Sequence, residues 1–599
     1  MKLKLTRVLA ILLIICAIPL MLFSCTNNNT QENSDTDSKK TESVSDTNET
    51  AKETDAEGTI TIFKNGAYVA RVIRGELASA NDKTAYNRIK SALKSKTGKA
   101  VNTETDYVAA GAALDNSSAL LVGETAYEES KSVYNSLEKG SAVAKIVNNK
   151  YVIAFSDTDS LAKLITELEE KISKASSEEI VIDSTWEITV KPEKVADYIA
   201  LPDFDGKKIT SAIDLGQGSS LYILSNIAKE KYTEYIGNME SFGFEFYTVN
   251  EIAGNEYCTF TTKTQIVNVM YLKNSNEVRI IEDNREKIEL PALEEDNVYT
   301  QTSSPSFTMM GISDAGYPGG MSFIYKLSDG TFFIIDGGMC ANRTGSTECK
   351  GDPSVNRLFK TLQSLADNPD KIVISGWLIT HIHNDHAGAF VDLAEKPEYL
   401  SKITIKQVIY SQPADSDMVD GKQSLRLNWM PDALEKMNIS KTVKAHPGQQ
   451  FYFADLKLTI LGSHDLVKPA QIERHNNASI VSMVEFGDKE MLFLADAEGA
   501  SNAKLKELYG SALDADILQV AHHGYNNTNA GIVYEYVTPS IVLWPIQSSD
   551  WKDGDNVYNI DFNLKYLNKS GIKHYVAGAG NTTFENLSTW VATRQDWKP

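Results

Sequence analysis

From about Gly58 onward the chain alternates short extended apolar runs with stretches of helical spacing. "TITIFKNG" reads as extended, and "NDKTAYNRIKSALKSK" as a helix with Asn81 or Asp82 as its cap. "SALLVGET" reads as a buried strand leading into "AYEESKSVYNSL". "SAVAKIVNNKYVIAFS" reads as a hairpin turning at Asn148-Asn149, and the helix "DSLAKLITELEEKISK" follows. Together these predict a small α/β domain over residues 58–178. Over residues 179–298 a helix-like "KEKYTEYIGNMESFGF" precedes the alternating stretches "EYCTFTTKTQIVNVMYLK" and "EVRIIED", a small α+β module. Tyrosine, phenylalanine and threonine on those strands read as a packed hydrophobic face rather than a ligand surface, which leaves scaffolding, spacing or partner contact as the module's role.

The pattern changes again over residues 305–599. "GGMSFIYKLSDGTFFIIDGG" is two apolar strands around the hairpin dipeptide Asp329-Gly330, stopping at Asp336. A helical "NRLFKTLQSLADN" leads to the strand "KIVISGWLIT", which runs directly into "THIHNDHAG". Two more apolar strands end in polar groups: "KEMLFLADAE" at Asp496, and "DADILQVAHHG" at His522 and His523. Reactive groups at the carboxyl ends of strands are a common arrangement in open α/β sheets.

Composition sharpens this picture. The 599 residues contain nine histidines, and all nine lie at or after His381, so imidazole chemistry is confined to the last part of the chain. Hydrophobic content of 42% supplies ample material for globular cores. The formal net charge of -21 works against strong binding to nucleic acid, and no lysine- or arginine-rich stripe offsets it. An anionic substrate held by a metal remains compatible, because a bound dication dominates its local field.

The first residues read as an export signal. Lys2, Lys4 and Arg7 precede an apolar run from Val8 to Phe23, interrupted by Pro19 and ending in "LFSC". That ending resembles a bacterial lipobox, which implies cleavage before Cys25, lipidation of its thiol and anchoring to the outer face of the cell membrane. Residues 1–25 are then a lipoprotein signal peptide and residues 26–57 a disordered polar linker, poor in apolar groups. In an exported protein Cys340 and Cys349 could close a short loop as a disulfide or remain free thiols; both readings stay open.

The cluster at residues 381–386 has metal-ligand character. In extended geometry His381 and His383 point the same way, while Asp385 and His386 turn toward a second position. Imidazole nitrogen and carboxylate oxygen are the ligands zinc accepts at catalytic sites. Asp496 and one of His522 or His523 extend the set, with His522 favoured because it follows its strand directly.

These four motifs in order resemble the metallo-β-lactamase superfamily. Asp336 matches its early aspartate, residues 381–386 its HxHxDH signature, Asp496 its bridging aspartate and "AHHG" its last histidine motif. Within it, "NNASIVSMVEFGDKEMLFLADAE" is similar to the hydrolase domain of the competence protein family ComEC. Ala495 departs from the usual glycine there and Tyr525 from the usual serine, and no channel segment accompanies the domain.

The resemblance implies an αββα sandwich in the C-terminal half, preceded by the two smaller domains, so the fold class is α/β. It implies two divalent ions, zinc first with manganese or iron as alternatives. Their ligands would be His381, His383, Asp385, His386, Asp496 and His522. His475, upstream of Asp496, is a further ligand or merely a neighbour. Asp385 would orient the nucleophile, with His523 or Tyr525 as a further ligand or proton donor.

The expected activity is hydrolysis of a small or polymeric phosphodiester, such as a wall-polymer decoration, a lipid or nucleic acid. A carboxylic ester, lactone or β-lactam is the alternative substrate class. A non-catalytic surface lipoprotein, whose upstream domains bind glycan or protein, is the alternative of another kind. The upstream α/β segment is itself similar to small domains placed ahead of catalytic domains in some bacterial polysaccharide-active enzymes.

Overall fold

The computed structural model describes residues 58–599 except 77, 110–111, 139, 192–196, 313–319, 341–353, 415–416, 418–427, 473–474, 525–527, 549–550, 552–559 and 595–599. The export signal, Cys25 and the polar linker therefore lie outside the described residues, as do Cys349 and Tyr525. Among the described residues no helix is long and apolar enough to cross a membrane. All of them belong to the unit Asp55–Pro599.

The first α/β portion is a six-stranded mixed sheet, running Glu104–Thr105, Arg71–Arg74, Ala119–Val122, Lys150–Phe155, Ala142–Val147 and Ile188–Val190. The antiparallel pair closes as expected with Val147 opposite Lys150, and Asn148 takes the left-handed conformation (φ 54°) that a tight turn needs. Helices Ala80–Thr97 and Thr158–Lys174 cover one face, burying Ala85, Ile89, Leu164, Ile165 and Leu168. The first helix is capped by Ser79 rather than by Asn81 or Asp82. Ser79 Oγ accepts from the Asp82 amide, and Asp82 reaches back to the Ser79 amide, a reciprocal capping box.

The boundary expected after residue 178 moves. Glu179–Ile182 pairs antiparallel with Ile60–Lys64, and Ile188–Val190 pairs with Ala142–Val147, so both strands belong to the first portion.

The second portion is a six-stranded antiparallel sheet: Ile213–Asp214, Ser219–Leu224, Glu277–Asn284, Gln265–Leu272, Asn255–Thr261 and Glu245–Ile252. One face packs on helix Lys229–Asn238 through Tyr232, Tyr235, Val267, Val269 and Ile280. The other face packs on the C-terminal portion. Leu221, Met270, Leu272 and Ile281 join one core with Leu461, Leu466, Leu505 and Leu508 of the C-terminal portion. Every residue of Gln265–Leu272 is buried, as a strand covered on both faces must be.

The C-terminal portion holds two facing sheets. The first runs Val443–Lys444, Val408–Tyr410, Ile372–Ile379, Phe332–Ile335, Phe323–Lys326, Ser306–Met309 and Thr582–Phe584, with Ile403–Ile405 alongside Ile372–Ile379. The second runs Gln450–Phe453, Leu456–Gly462, Val481–Phe486, Lys489–Phe493, Ile517–Gln519, Ile541–Trp544 and Lys573–Val576. Phe323, Tyr325, Phe333 and Leu378 of one sheet interdigitate with Leu458, Val484, Met491 and Phe493 of the other.

Helices Ser354–Leu365, Gly388–Leu393 and Trp429–Lys436 cover the first sheet from outside, through Leu358, Phe390 and Leu434. Gly499–Tyr509, Gly531–Tyr534 and Ile560–Leu567 cover the second, through Leu505, Val533 and Leu567. The order helix, sheet, sheet, helix is the αββα sandwich anticipated from the motifs. Phe332–Ile335 is parallel to Ile372–Ile379, and Lys489–Phe493 to Ile517–Gln519, so within each sheet two motif-bearing strands end at the same edge.

Candidate metal centre

The strand Phe332–Ile335 delivers Asp336, fully buried and with positive φ (56°), to the end of Ile372–Ile379. Its carboxylate is saturated by that strand's exit. It accepts from the Thr380 amide (2.8 Å), the Thr380 hydroxyl (2.8 Å) and His386 Nδ1 (2.8 Å). The loop beyond Thr380 is held by its own backbone. His386 and Ala387 amides return to the His383 carbonyl, Gly337 donates to the His386 carbonyl, and Met321 donates to that of Asp385. Gly388 lets this loop lie against the chain at residues 338–340, since a Cβ there would stand 2.2 Å from the Cys340 amide nitrogen.

The side chains then converge in two groups of three. His381, His383 and Asp496 form one and Asp385, His386 and His523 the other, each with its ligand-type atoms within 4.8 Å of one another. Asp496 connects them: His381 Nε2 lies 3.7 Å from its Oδ2, and His386 Nε2 3.2 Å from its Oδ1.

In three of these histidines Nδ1 is already engaged. His381 Nδ1 lies 3.2 Å from the Thr380 hydroxyl, whose hydrogen is committed to Asp336, so the oxygen accepts from the ring. His386 Nδ1 donates to Asp336 and His523 Nδ1 to the Pro545 carbonyl (2.6 Å). All three rings therefore present Nε2 inward, and His381 Nε2, His386 Nε2, His523 Nε2 and Asp496 Oδ1 are buried without a hydrogen bond. Buried polar atoms are normally paired. Nitrogen lone pairs and carboxylate oxygens converging in this state suit divalent cations, whose histidine ligands are characteristically anchored through the other ring nitrogen.

The electrostatics carry the same signature. Burial, reinforced by neighbouring imidazoles, drives His381 well below its ordinary range, and burial brings His383 down to about 4. Burial also works against a charge on His386 and His523, but the surrounding carboxylates, Asp496 foremost, outweigh it and raise both. The Asp385 and Asp496 carboxylates stay ionised although burial opposes it, held down by His386 and neighbouring histidines. The same carboxylates that favour positive charge on His386 and His523 would favour a bound dication.

Several sequence expectations are revised. His523, not His522, completes the second group. Both residues adopt left-handed backbone (φ 47° and 54°), which turns the chain sharply at the strand's end and carries the second ring inward. His522 lies at the rim, with Nε2 3.5 Å from Asp496 Oδ2 and Nδ1 3.4 Å from Glu498 Oε1. His475 is buried with its ring 5.6 Å from that of His383, beside the first group but outside its three-ligand set. Cys340 is disulfide-bonded, and its expected partner Cys349 lies outside the described residues.

His446, in the loop before Gln450–Phe453, and His464, at the start of helix His464–Val467, are completely buried in a polar seam. His574 is structural, accepting from Trp544 Nε1 (3.1 Å). Three supporting residues escaped sequence reading. Thr380 orients His381. Ser479 accepts from the Asp496 amide (3.2 Å). Glu498 receives Asn476 Nδ2 (2.9 Å) and faces His522. Glu498 alone had a local signal, as a second carboxylate in "ADAE".

Residues 317–539 match the family model of the Metallo-beta-lactamase superfamily, so the chain carries a domain of that superfamily. No curated protein matches the chain. Among solved structures it is similar to CmlA, a diiron beta-hydroxylase from Streptomyces venezuelae (14% identity, TM-score 0.25, 40% of this chain and 44% of that one). The chain spans about half the length of the CmlA structures it matches. It is also similar to a possible metal-dependent hydrolase from Veillonella parvula (12% identity, TM-score 0.25, 45% of this chain and 96% of that one). A third similarity is to a metallo-beta-lactamase with a HARLDQ motif from Cronobacter sakazakii (16% identity, TM-score 0.20, 32% and 60%).

Proposed function

We propose that this chain is a dinuclear metal-dependent hydrolase that cleaves phosphodiesters at the outer face of a bacterial cell membrane. The observation carrying the reading is the pair of histidine–carboxylate groups joined through Asp496, with four inward-facing polar atoms left unpaired. His381, His383 and Asp496 would hold one ion, with His475 beside them. Asp385, His386 and His523 would hold the other, with Asp496 shared. Zinc suits this nitrogen and oxygen donor set, and manganese or iron are the alternatives. The two ions, when bound, supply Lewis-acid charge and a nucleophile at neutral pH.

The chain's own residues do the rest. Asp336 and the Pro545 carbonyl fix the tautomers of His386 and His523 and hence the direction of both Nε2 atoms. Asp385 has 20% of its side chain exposed, against 0% for His386 and 4% for His523, so it is the member of its group open to an incoming substrate. It is therefore the group placed to orient the attacking water. His522, at the rim with Glu498, is placed to pass a proton to a departing alkoxide.

Phosphodiesters rank first because two dications suit the charge of an in-line displacement at phosphorus. The acidic balance of the chain favours a small or capped phosphoester over a long polyanion. The lipobox-like Leu22–Cys25 supports export and lipid anchoring, which would place wall-polymer decorations and lipids within reach.

Hydrolysis of bis(p-nitrophenyl) phosphate by the purified protein, with added zinc or manganese and an Asp385→Ala control, tests the reading. Metal-dependent turnover that disappears in the variant supports it. Bound metal without turnover sinks the phosphodiester assignment and redirects the search to carboxylic esters and lactones.

A further inference from the structure

The six-stranded sheet of residues 213–284 contains no candidate catalytic residue, yet beyond its shared apolar core it grips the C-terminal domain through polar side chains and turns. Its first turn enters that domain. The Leu215 carbonyl accepts from Lys444 Nζ (2.9 Å) and His464 Nε2 (3.0 Å), and the Gly216 carbonyl accepts from Lys444 Nζ (2.7 Å). Gln217 Oε1 accepts from the Gln412 amide (2.7 Å). Gly216 (φ +73°) fits so closely that a Cβ would stand 2.6 Å from the Gln412 carbonyl oxygen.

Two residues further along the sheet take hold of one short segment. Asp283 accepts from His446 Nε2 (2.9 Å), and His446 Nδ1 donates to Asp465 Oδ2 (2.6 Å). Arg279, only 2% exposed, donates from Nη1 to the Asp465 carbonyl and from Nη2 to the Lys468 carbonyl (2.9 Å). A guanidinium spanning two carbonyls of one turn fixes that turn's position and direction, which a flexible ammonium cannot do.

The gripped segment leads to the metal centre. Helix His464–Val467 packs against His475–Ala478, and Val467, Ile472 and Ala478 form a small apolar cluster of their own. Within the stretch 475–479, the His475 ring faces His383, Asn476 holds Glu498, and Ser479 touches both the Asp496 amide and His381 Nδ1 (3.4 Å).

We propose that Arg279 and Asp283 are positioning residues for the first metal site, acting through helix His464–Val467 and the stretch 475–479 packed against it. The upstream sheet is then a structural part of the catalytic unit rather than an independent binding module. The proposal rests on the dinuclear reading above.

Its test is zinc content and zinc affinity, measured by elemental analysis and chelator competition on the full chain. The variants are Arg279→Lys, Arg279→Met and Asp283→Asn. Lys263→Met, on an exposed part of the same sheet portion, is the control. The expected result is a folded variant in which one of the two ions is bound at least tenfold more weakly, while the other ion and the control stay as in the wild type. A purely structural role would lower the melting temperature without separating the two ions.

Arg279→Lys keeps the charge and the stem, so it serves where Arg279→Met does not fold. Folded Arg279 and Asp283 variants binding both ions as tightly as the wild type would overturn the proposal alone. A wild-type protein holding no zinc would overturn the dinuclear reading and the proposal with it.

Discussion

His446 offers a quantitative check on the seam between the two portions. Its ring is held by Asp465 at Nδ1 and Asp283 at Nε2, with Lys444 and His464 as the other titratable groups of the same seam. Burial favours the neutral ring, but the two carboxylates outweigh it and raise His446 from an ordinary 6.5 to about 9. At about 1.4 kcal/mol per pH unit, the raised affinity for the proton corresponds to roughly 3 kcal/mol of folding stability.

The sign follows from linkage. Below pH 6.5 both folded and unfolded chains hold the proton, and the full contribution is present. Between 6.5 and about 9 only the folded chain holds it, so stability falls as pH rises, and beyond about 9 the contribution is gone. His446→Gln removes the charge and leaves two buried carboxylates facing each other, a change that typically costs about 3–5 kcal/mol. The assay is the difference in urea-unfolding free energy between wild type and variant at pH 6 and at pH 9.5, in which groups common to both proteins largely cancel. A difference of about 3 kcal/mol or more at pH 6 that shrinks toward zero at pH 9.5 is expected. A difference unchanged with pH would refute the assignment of a doubly bridged, protonated His446.

Three further outcomes follow from the geometry. Asp336→Asn removes the charge that anchors His386 Nδ1 and Thr380, and should weaken metal affinity by about 10- to 100-fold, read by chelator competition. Gly216→Ala forces a Cβ against the Gln412 carbonyl in left-handed backbone, and should lower stability by about 1–3 kcal/mol in a thermal melt. Ser79→Ala removes the cap of helix Ala80–Thr97 and should cost about 1 kcal/mol, with no effect on bound metal.

The metal centre was legible because its chemistry is local in sequence. His381, His383, Asp385 and His386 lie in the loop that leaves strand Ile372–Ile379 and Asp496 just beyond Lys489–Phe493, and strand ends in such sheets meet at one edge. The choice between His522 and His523 was not legible. It depends on two consecutive left-handed residues, a conformation that local pattern does not assign to histidine. Ala495 shows the reverse case: it too is left-handed (φ 47°), which gives a conformational reason for the glycine usual in the resembling family. The seam was invisible for a different reason. His446, Asp465, Arg279 and Asp283 are scattered along the sequence and look like surface polar residues, because each is buried by a part of the chain far from it. The capping residue Ser79 was missed by two or three positions, the usual uncertainty at a helix end.

The central claim is that one site holds two ions through a shared Asp496. The most direct test is the metal content of the purified protein, beside Asp496→Ala, after equilibration with zinc and removal of excess. The account predicts two zinc ions per chain in the wild type and at most one, weakly held, in the variant. One ion or none in the wild type, or two in Asp496→Ala, would contradict it.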